Sequence, residues 1–277
     1  MPFFAPCYGW IAKKIKKRST AKLIAVCHNI IPHEKRIGDK ILSKYFLEKM
    51  DYFIPLSDQV KKDLFLFLKN PVYKLLPLPV FSLFGEKVDK QEAKKYLKLT
   101  DEKILLFFGF IRDYKGLDVL IEAISLVKKE LDVKLIVAGE FYESEERYLK
   151  LITSYNLEKE IILKKDFIPT SDVKYYFSAS DAVVLPYKSA TQSGIVQVAV
   201  NFCKPVIATN VGGIGEVIED GKTGFVVEKE NPEKLAEAII RYYKEDKEKE
   251  FSQSMKSLKE KYSWQNFVKG MFELIKN

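Results

Sequence analysis

Two short glycine-bounded stretches hold the residues best suited to chemistry. Residues 109–116 read Gly-Phe-Ile-Arg-Asp-Tyr-Lys-Gly, which sets Arg112 and Lys115 on a loop between an apolar run and a helical pattern. Residues 191–194 read Thr-Gln-Ser-Gly, just ahead of a small and apolar segment, 195–202, long enough for about two helical turns. Arg offers a bidentate fork and Lys a point charge, while a helix N-terminus offers free N–H groups on the positive end of a dipole. Arg112 and Lys115, with Gln192, Ser193 and Gly194 at that N-terminus, make a candidate diphosphate site. Each stretch also has a plainer reading: strand, glycine turn and helix recur throughout α/β domains, and basic loop residues are commonly only solvated. The GxxxxGK[ST] pattern of P-loop nucleotide hydrolases is absent.

The elements needed to position these residues are visible as apolar runs. Residues 104–108, 133–138, 161–163, 182–185 and 205–208 read as strands, separated by helical patterns at 117–129, 143–155, 171–179 and 195–202 and followed by another at 232–245. Regular alternation at this spacing predicts a parallel, doubly wound α/β sheet, whose strand-to-helix loops all leave one edge. That topology brings loops 109–116 and 191–194 to one cleft. An earlier succession reads as helix 10–18, strand 21–27, helix 40–49, strand 51–55, helix 57–68 and strand 73–76, and the charged segment 85–100 reads as a linker. Domains of 1–95 and 96–277 follow. Strand 21–27 delivers His28 to its C-terminal end; with His33 it accounts for both histidines of the chain.

Composition excludes several classes. No apolar run approaches the roughly 18 residues of a spanning helix, and residues 3–11, interrupted by Pro6 and Gly9, lack a signal peptide's order. A cytoplasmic chain is expected. Cys7, Cys27 and Cys203 show no paired spacing and read as buried thiols. The net charge of +8 favours anionic partners. Residues 10–18, Trp-Ile-Ala-Lys-Lys-Ile-Lys-Lys-Arg, fit either a helix resting on an acidic membrane, here its inner face, or a solvated helix with one buried edge. No nucleic-acid partner is expected, since neither an RNP-like pattern nor a helix-turn-helix is present.

From residue 103 onward the chain resembles the nucleotide-sugar-binding domain of family 4 (group 1) retaining glycosyltransferases of GT-B fold. The resemblance rests on FFGFIRDYKG, IVAGE, a strand ending LPY, KPVIATNVGGIGEVIEDGKTGFVV and the closing YSWQNF. Residues 21–84 resemble the second half of that fold's N-terminal domain, in VCHNIIPHE, DYFIPLS and LPLPV. The resemblance implies two Rossmann-like domains, the first incomplete because it starts in mid-fold, with the last helix, 264–275, returning to the N-terminal domain. It implies a nucleotide-diphosphate sugar as donor and a saccharide or lipid-linked acceptor, as in polysaccharide biosynthesis, with no metal or other cofactor. By the same resemblance Arg112 and Lys115 hold the diphosphate, backbone at Phe167 and Ile168 holds the base, and His28 lies near the reacting sugar. The family's E-x7-E pattern falls on Thr191 and Ala199, neither acidic, so its ribose and sugar contacts do not carry over. The alternative is a non-catalytic or partner-completed nucleotide-sugar-binding subunit.

Overall fold

The computed structural model describes residues 4–31 and 38–276; His33 falls outside them. It divides into two compact units, Met1–Pro79 with Tyr262–Asn277, and Val80–Lys261. The division falls before residues 85–100, so that segment belongs to the second unit rather than forming a linker.

The first unit runs α1 (Ala5–Arg18), β1 (Ile24–Cys27), α2 (Asp39–Leu47), β2 (Tyr52–Pro55) and α3 (Asp58–Phe65). Helix α1 begins earlier than its sequence pattern predicts. Pro6 sits in the first turn, where a missing N–H costs nothing, and Gly9 lies against the Tyr45 ring of α2, so neither residue breaks the helix. Strands β1 and β2 pair in parallel, with Ala25 opposite Phe53. Residues 73–76, expected as a strand, contribute only an isolated bridge from Tyr73 to Phe53, because Pro71, Pro77 and Pro79 remove the N–H groups that a longer ladder needs. The Ser57 hydroxyl caps α3 by accepting from the Val60 N–H (3.3 Å), and Val60 and Leu64 pack with Cys27 and Phe53 in the core.

The second unit begins with α4 (Lys90–Tyr96), which packs along a later helix, Val173–Ala179, through the stacked rings of Tyr96 and Tyr175. It continues through β3 (Lys103–Phe108), α5 (Leu117–Val127), β4 (Val133–Ala138), α6 (Glu146–Ser154), β5 (Ile161–Lys164), α7 (Val173–Ala179) and β6 (Ala182–Leu185). The remainder is α8 (Gly194–Asn201), β7 (Val206–Thr209), α9 (Ile214–Val217), β8 (Gly224–Val227), α10 (Pro232–Lys244) and α11 (Glu248–Lys261). The six strands form one parallel sheet in the order β5-β4-β3-β6-β7-β8. Chain order runs outward from β3 to one edge, then returns beside β3 and runs to the other. Central strands β3, β6 and β7 are almost wholly buried, as expected for strands covered on both faces. Leu105, Phe107 and Ile207 pack with α5 and α10 on one side, while Phe108 meets Phe177, itself stacked on Phe202, on the other.

The ends of the strands opposite the glycine loops are held by buried charge. Asp181, just before β6, accepts from the Ile104 N–H (2.7 Å) and the Tyr243 hydroxyl (2.9 Å) and pairs with Lys90. Lys204 is buried and donates to the carbonyls of Ser178 and Ser180.

The last helix, α12 (Trp264–Lys276), packs within the first unit. Leu274 joins Ile54, Leu56 and Leu76, flanked by Phe267 and Met271, and Lys74 pairs with Glu273. Among the described residues no helix is long and apolar enough to cross a membrane.

Candidate functional site

The reversal of strand order between β3 and β6 creates a topological switch point, where the loops after the two strands diverge and leave a crevice. The loop after β3 carries Arg112 and Lys115, and the loop after β6 carries Tyr187 to Ser193. Each is held by backbone contact. The first folds as a 3₁₀ turn, Asp113–Lys115, closed by Gly116 at φ +68°, where an added Cβ would stand 2.0 Å from the Pro186 carbonyl oxygen of the other loop. Gly212, after β7, is likewise pressed against the Ala190 carbonyl, and the Gly213 N–H donates to Thr191 O (2.8 Å).

Within this frame Lys115 is buried, 7% exposed, and its ammonium group lies beside Gly109, while Ile195, in the first turn of α8, reaches the same glycine from the other loop. Lys115 and the start of α8 are therefore neighbours, as the topology required. Burial, with the Arg112 charge adding to it, lowers the Lys115 pKa to about 8. The ammonium stands 5.7 Å from the centroid of the Tyr187 ring, and the exposed Arg112 guanidinium lies 4.9 Å from that of Tyr142. Among the described residues neither cation has a carboxylate partner. A buried cation of this kind, beside a helix N-terminus, has the chemistry to hold an anion.

The second loop adds polar groups. Ser193 occupies the N-cap of α8 without capping it, and its hydroxyl donates to the buried Tyr187 hydroxyl (3.4 Å). Gln192 buries its amide oxygen with no hydrogen-bond partner, leaving an acceptor for a ligand donor. The two loops are also strapped by charge. The Lys188 ammonium donates to Asp113 Oδ1 (2.9 Å) and Asp118 Oδ2 (2.8 Å), Arg147 of α6 pairs with both aspartates, and the Lys188 N–H donates to Tyr114 O (2.8 Å). Burial opposes the Lys188 charge, but the hydrogen bonds to Asp118 and Asp113 outweigh it and raise its pKa.

Comparison with known proteins gives the family. The family described as Glycosyl transferases group 1 matches residues 88–271. An uncharacterized glycosyltransferase of Methanocaldococcus jannaschii is 30% identical over 268 residues, 95% of this chain and 70% of that protein. The chain belongs to the group 1 glycosyl transferases.

Other relatives of this group 1 chain share shorter stretches. Spore coat protein SA of Bacillus subtilis is 28% identical over 67% of the chain, which spans 52% of that protein. The crystal structure of the Anabaena protein HepE in complex with UDP superposes with a TM-score of 0.81 at 18% identity, covering 98% of this chain and 76% of that one, and HepE has also been solved with UDP-glucose. The fold is GT-B-like.

The remaining sequence candidates occupy different places. Phe167, 63% exposed, and the half-buried Ile168 follow β5 at the edge of the sheet, two strands from β3. His28 belongs to the first unit, immediately after β1, and desolvation holds its pKa below the ordinary imidazole value. Ala199, at the second position of the family's acidic pattern, is fully buried in α8. Sequence reasoning missed Tyr187, Lys188, Asp118 and Arg147. Tyr187 stands in the LPY motif, but its ring beside Lys115 is a contact across the switch point, and the lysine strap joins residues some 70 positions apart.

Proposed function

We propose that the chain transfers a sugar from a nucleoside diphosphate donor to a hydroxyl of a saccharide or lipid-linked acceptor, with retention of anomeric configuration. The observation that carries this reading is the burial of Lys115, without a carboxylate partner among the described residues, against the same glycine as the first turn of α8. In the transfer the anomeric C–O bond to the diphosphate breaks and its electron pair leaves with the diphosphate. A new C–O bond forms to the acceptor oxygen, which gives up its proton. Charge accumulates on the leaving group, so stabilisation is an electrostatic task. Arg112, Lys115 and the N–H groups opening α8 supply positive charge there, and we assign no step to a metal. Gln192 and Ser193 line the same turn, and Phe167 and Ile168 are assigned to the base through their backbone. HepE, which binds UDP and UDP-glucose, makes uridine donors the first to test.

The test is calorimetry with nucleoside diphosphates beside an assay of their release from an array of donors with and without acceptor. A donor at about 100 times its Kd should stabilise the protein by roughly 2.7 kcal/mol. Arg112→Ala should weaken diphosphate binding by about 1.5 to 3 kcal/mol, the worth of a charged hydrogen bond, without unfolding the chain. His28→Ala should lose turnover and keep binding. Undiminished affinity in Arg112→Ala would remove this loop from the site.

A further inference from the structure

The cations around the switch point are held in two ways. Lys188 and Arg147 give their N–H groups to Asp113 and Asp118, whereas Arg112 and Lys115 have no carboxylate partner among the described residues and lie beside the rings of Tyr142 and Tyr187. A carboxylate accepts the donors of a guanidinium and leaves fewer for a ligand. An aromatic ring attracts the charge through its quadrupole and leaves the N–H fork to bind two phosphate oxygens.

The backbone sets Tyr142 opposite Arg112. Beyond the ends of β3 and β4 the two chains keep one further parallel bridge, Ile111 to Phe141, in which the Ile111 N–H donates to Glu140 O (2.8 Å) and the Tyr142 N–H to Ile111 O (3.1 Å). Side chains alternate across such a pair. Ile111 is buried and Phe141 packs on the core, which turns Phe110, Arg112 and Tyr142 to the other face, where all three are exposed. There the centre of the Arg112 guanidinium lies 4.9 Å from the centroid of the Tyr142 ring. The Phe110 ring meets that of Tyr142 with centroids 4.5 Å apart, so the tyrosine is itself packed in place.

We propose that Tyr142, packed on Phe110, is a positioning residue for the donor site, holding the Arg112 guanidinium where it meets the diphosphate. The inference rests on the assignment of Arg112 to that group. An arginine loose in solvent gives up side-chain rotamers when it binds, and one already held over a ring has less to lose. Because Tyr142 acts through Arg112, its effect must appear with any ligand that carries the diphosphate and vanish when Arg112 is gone.

Calorimetry with UDP and with inorganic pyrophosphate tests this on wild type, Tyr142→Leu, Tyr142→Phe, Arg112→Ala and the variant combining Tyr142→Leu with Arg112→Ala. Tyr142→Leu should weaken both ligands by the same factor, about two- to five-fold, the range of an exposed cation–π pair. Tyr142→Phe keeps a ring and should bind as wild type does. In the Arg112→Ala background, Tyr142→Leu should change nothing further. Tyr142 is 54% exposed, so each variant should keep the wild-type Tm, which separates lost positioning from lost folding. A loss confined to UDP would mean that the ring stacks on the base instead. An equal loss with and without Arg112 would mean that it touches the diphosphate or shapes the loop, and wild-type affinity in Tyr142→Leu would mean that Arg112 needs no support; each of these overturns the proposal. Undiminished affinity in Arg112→Ala would instead remove the whole loop from the donor site, and the proposal with it.

Discussion

Lys115 brings a pH dependence to the proposed donor site. Its folded pKa lies near 8, against an ordinary 10.5, because burial and Arg112 disfavour the ammonium form. A diphosphate needs that ammonium form. Affinity should therefore hold from pH 7 to about 8 and fall above it, by up to ten-fold per unit, as each binding event must also capture a proton. Calorimetry from pH 7 to 10 checks this. Lys115→Met should bind weakly with a flat profile, because Arg112 keeps its charge throughout; an unchanged slope in that variant would place the titrating group elsewhere. That Lys115 and the start of α8 are neighbours was legible in the sequence because strand-to-helix loops of a parallel sheet leave one edge. Phe110 and Tyr142, whose rings meet 4.5 Å apart beside Arg112, were not, since contact across neighbouring strand ends leaves no local pattern.

Between elements, the strap from Lys188 to Asp113 and Asp118 couples the loops after β3 and β6. Lys188→Met should leave the sheet intact and let the Arg112 loop drift, weakening donor binding by about ten-fold, well within what ångström-scale misplacement produces. Lys188→Arg should recover part of the loss, because Arg keeps the charge that the two aspartates require. Identical affinities in wild type and Lys188→Met would mean that Gly116 and Arg147 alone position the loop. Helix α12 answers to a stability measurement. Leu274, 5% exposed among Ile54, Leu56 and Leu76, should cost about 2 to 5 kcal/mol as Leu274→Ala, read by denaturant melts of the first unit. The sheet of the second unit was legible because apolar runs fill β6, β3 after Lys103 and β4 after Lys134. Helix α11 was harder to find. Phe251, Met255 and Leu258 have helical spacing, but charged residues surround them.

For the molecule as a whole, two buried amines set the sign of stability against pH. Burial lowers Lys204 to about 7 and Lys115 to about 8, so between pH 7 and 9 the folded chain has shed protons that the unfolded chain still holds. Stability must rise with pH across that window. Above about pH 9 the Cys27 thiol, raised from 9.0 to about 12 by burial, stays protonated only in the folded state and opposes part of the rise, which ends as the unfolded lysines approach their ordinary 10.5. Scanning calorimetry should find Tm rising from pH 7 to 9, with Lys204→Met flattening the rise; a Tm that falls steadily from pH 7 would contradict it. The backbone contacts at the switch point have a different kind of consequence. Because Gly116 and Gly212 face carbonyl oxygens about 2 Å from where a Cβ would stand, a saturation library selected only for folded protein should retain glycine alone at both positions. The same selection should accept nearly any residue at the exposed Arg112, and selecting instead for donor capture should restore arginine there. Comparing the two selections would separate inherited scaffold from chemistry without knowledge of the acceptor.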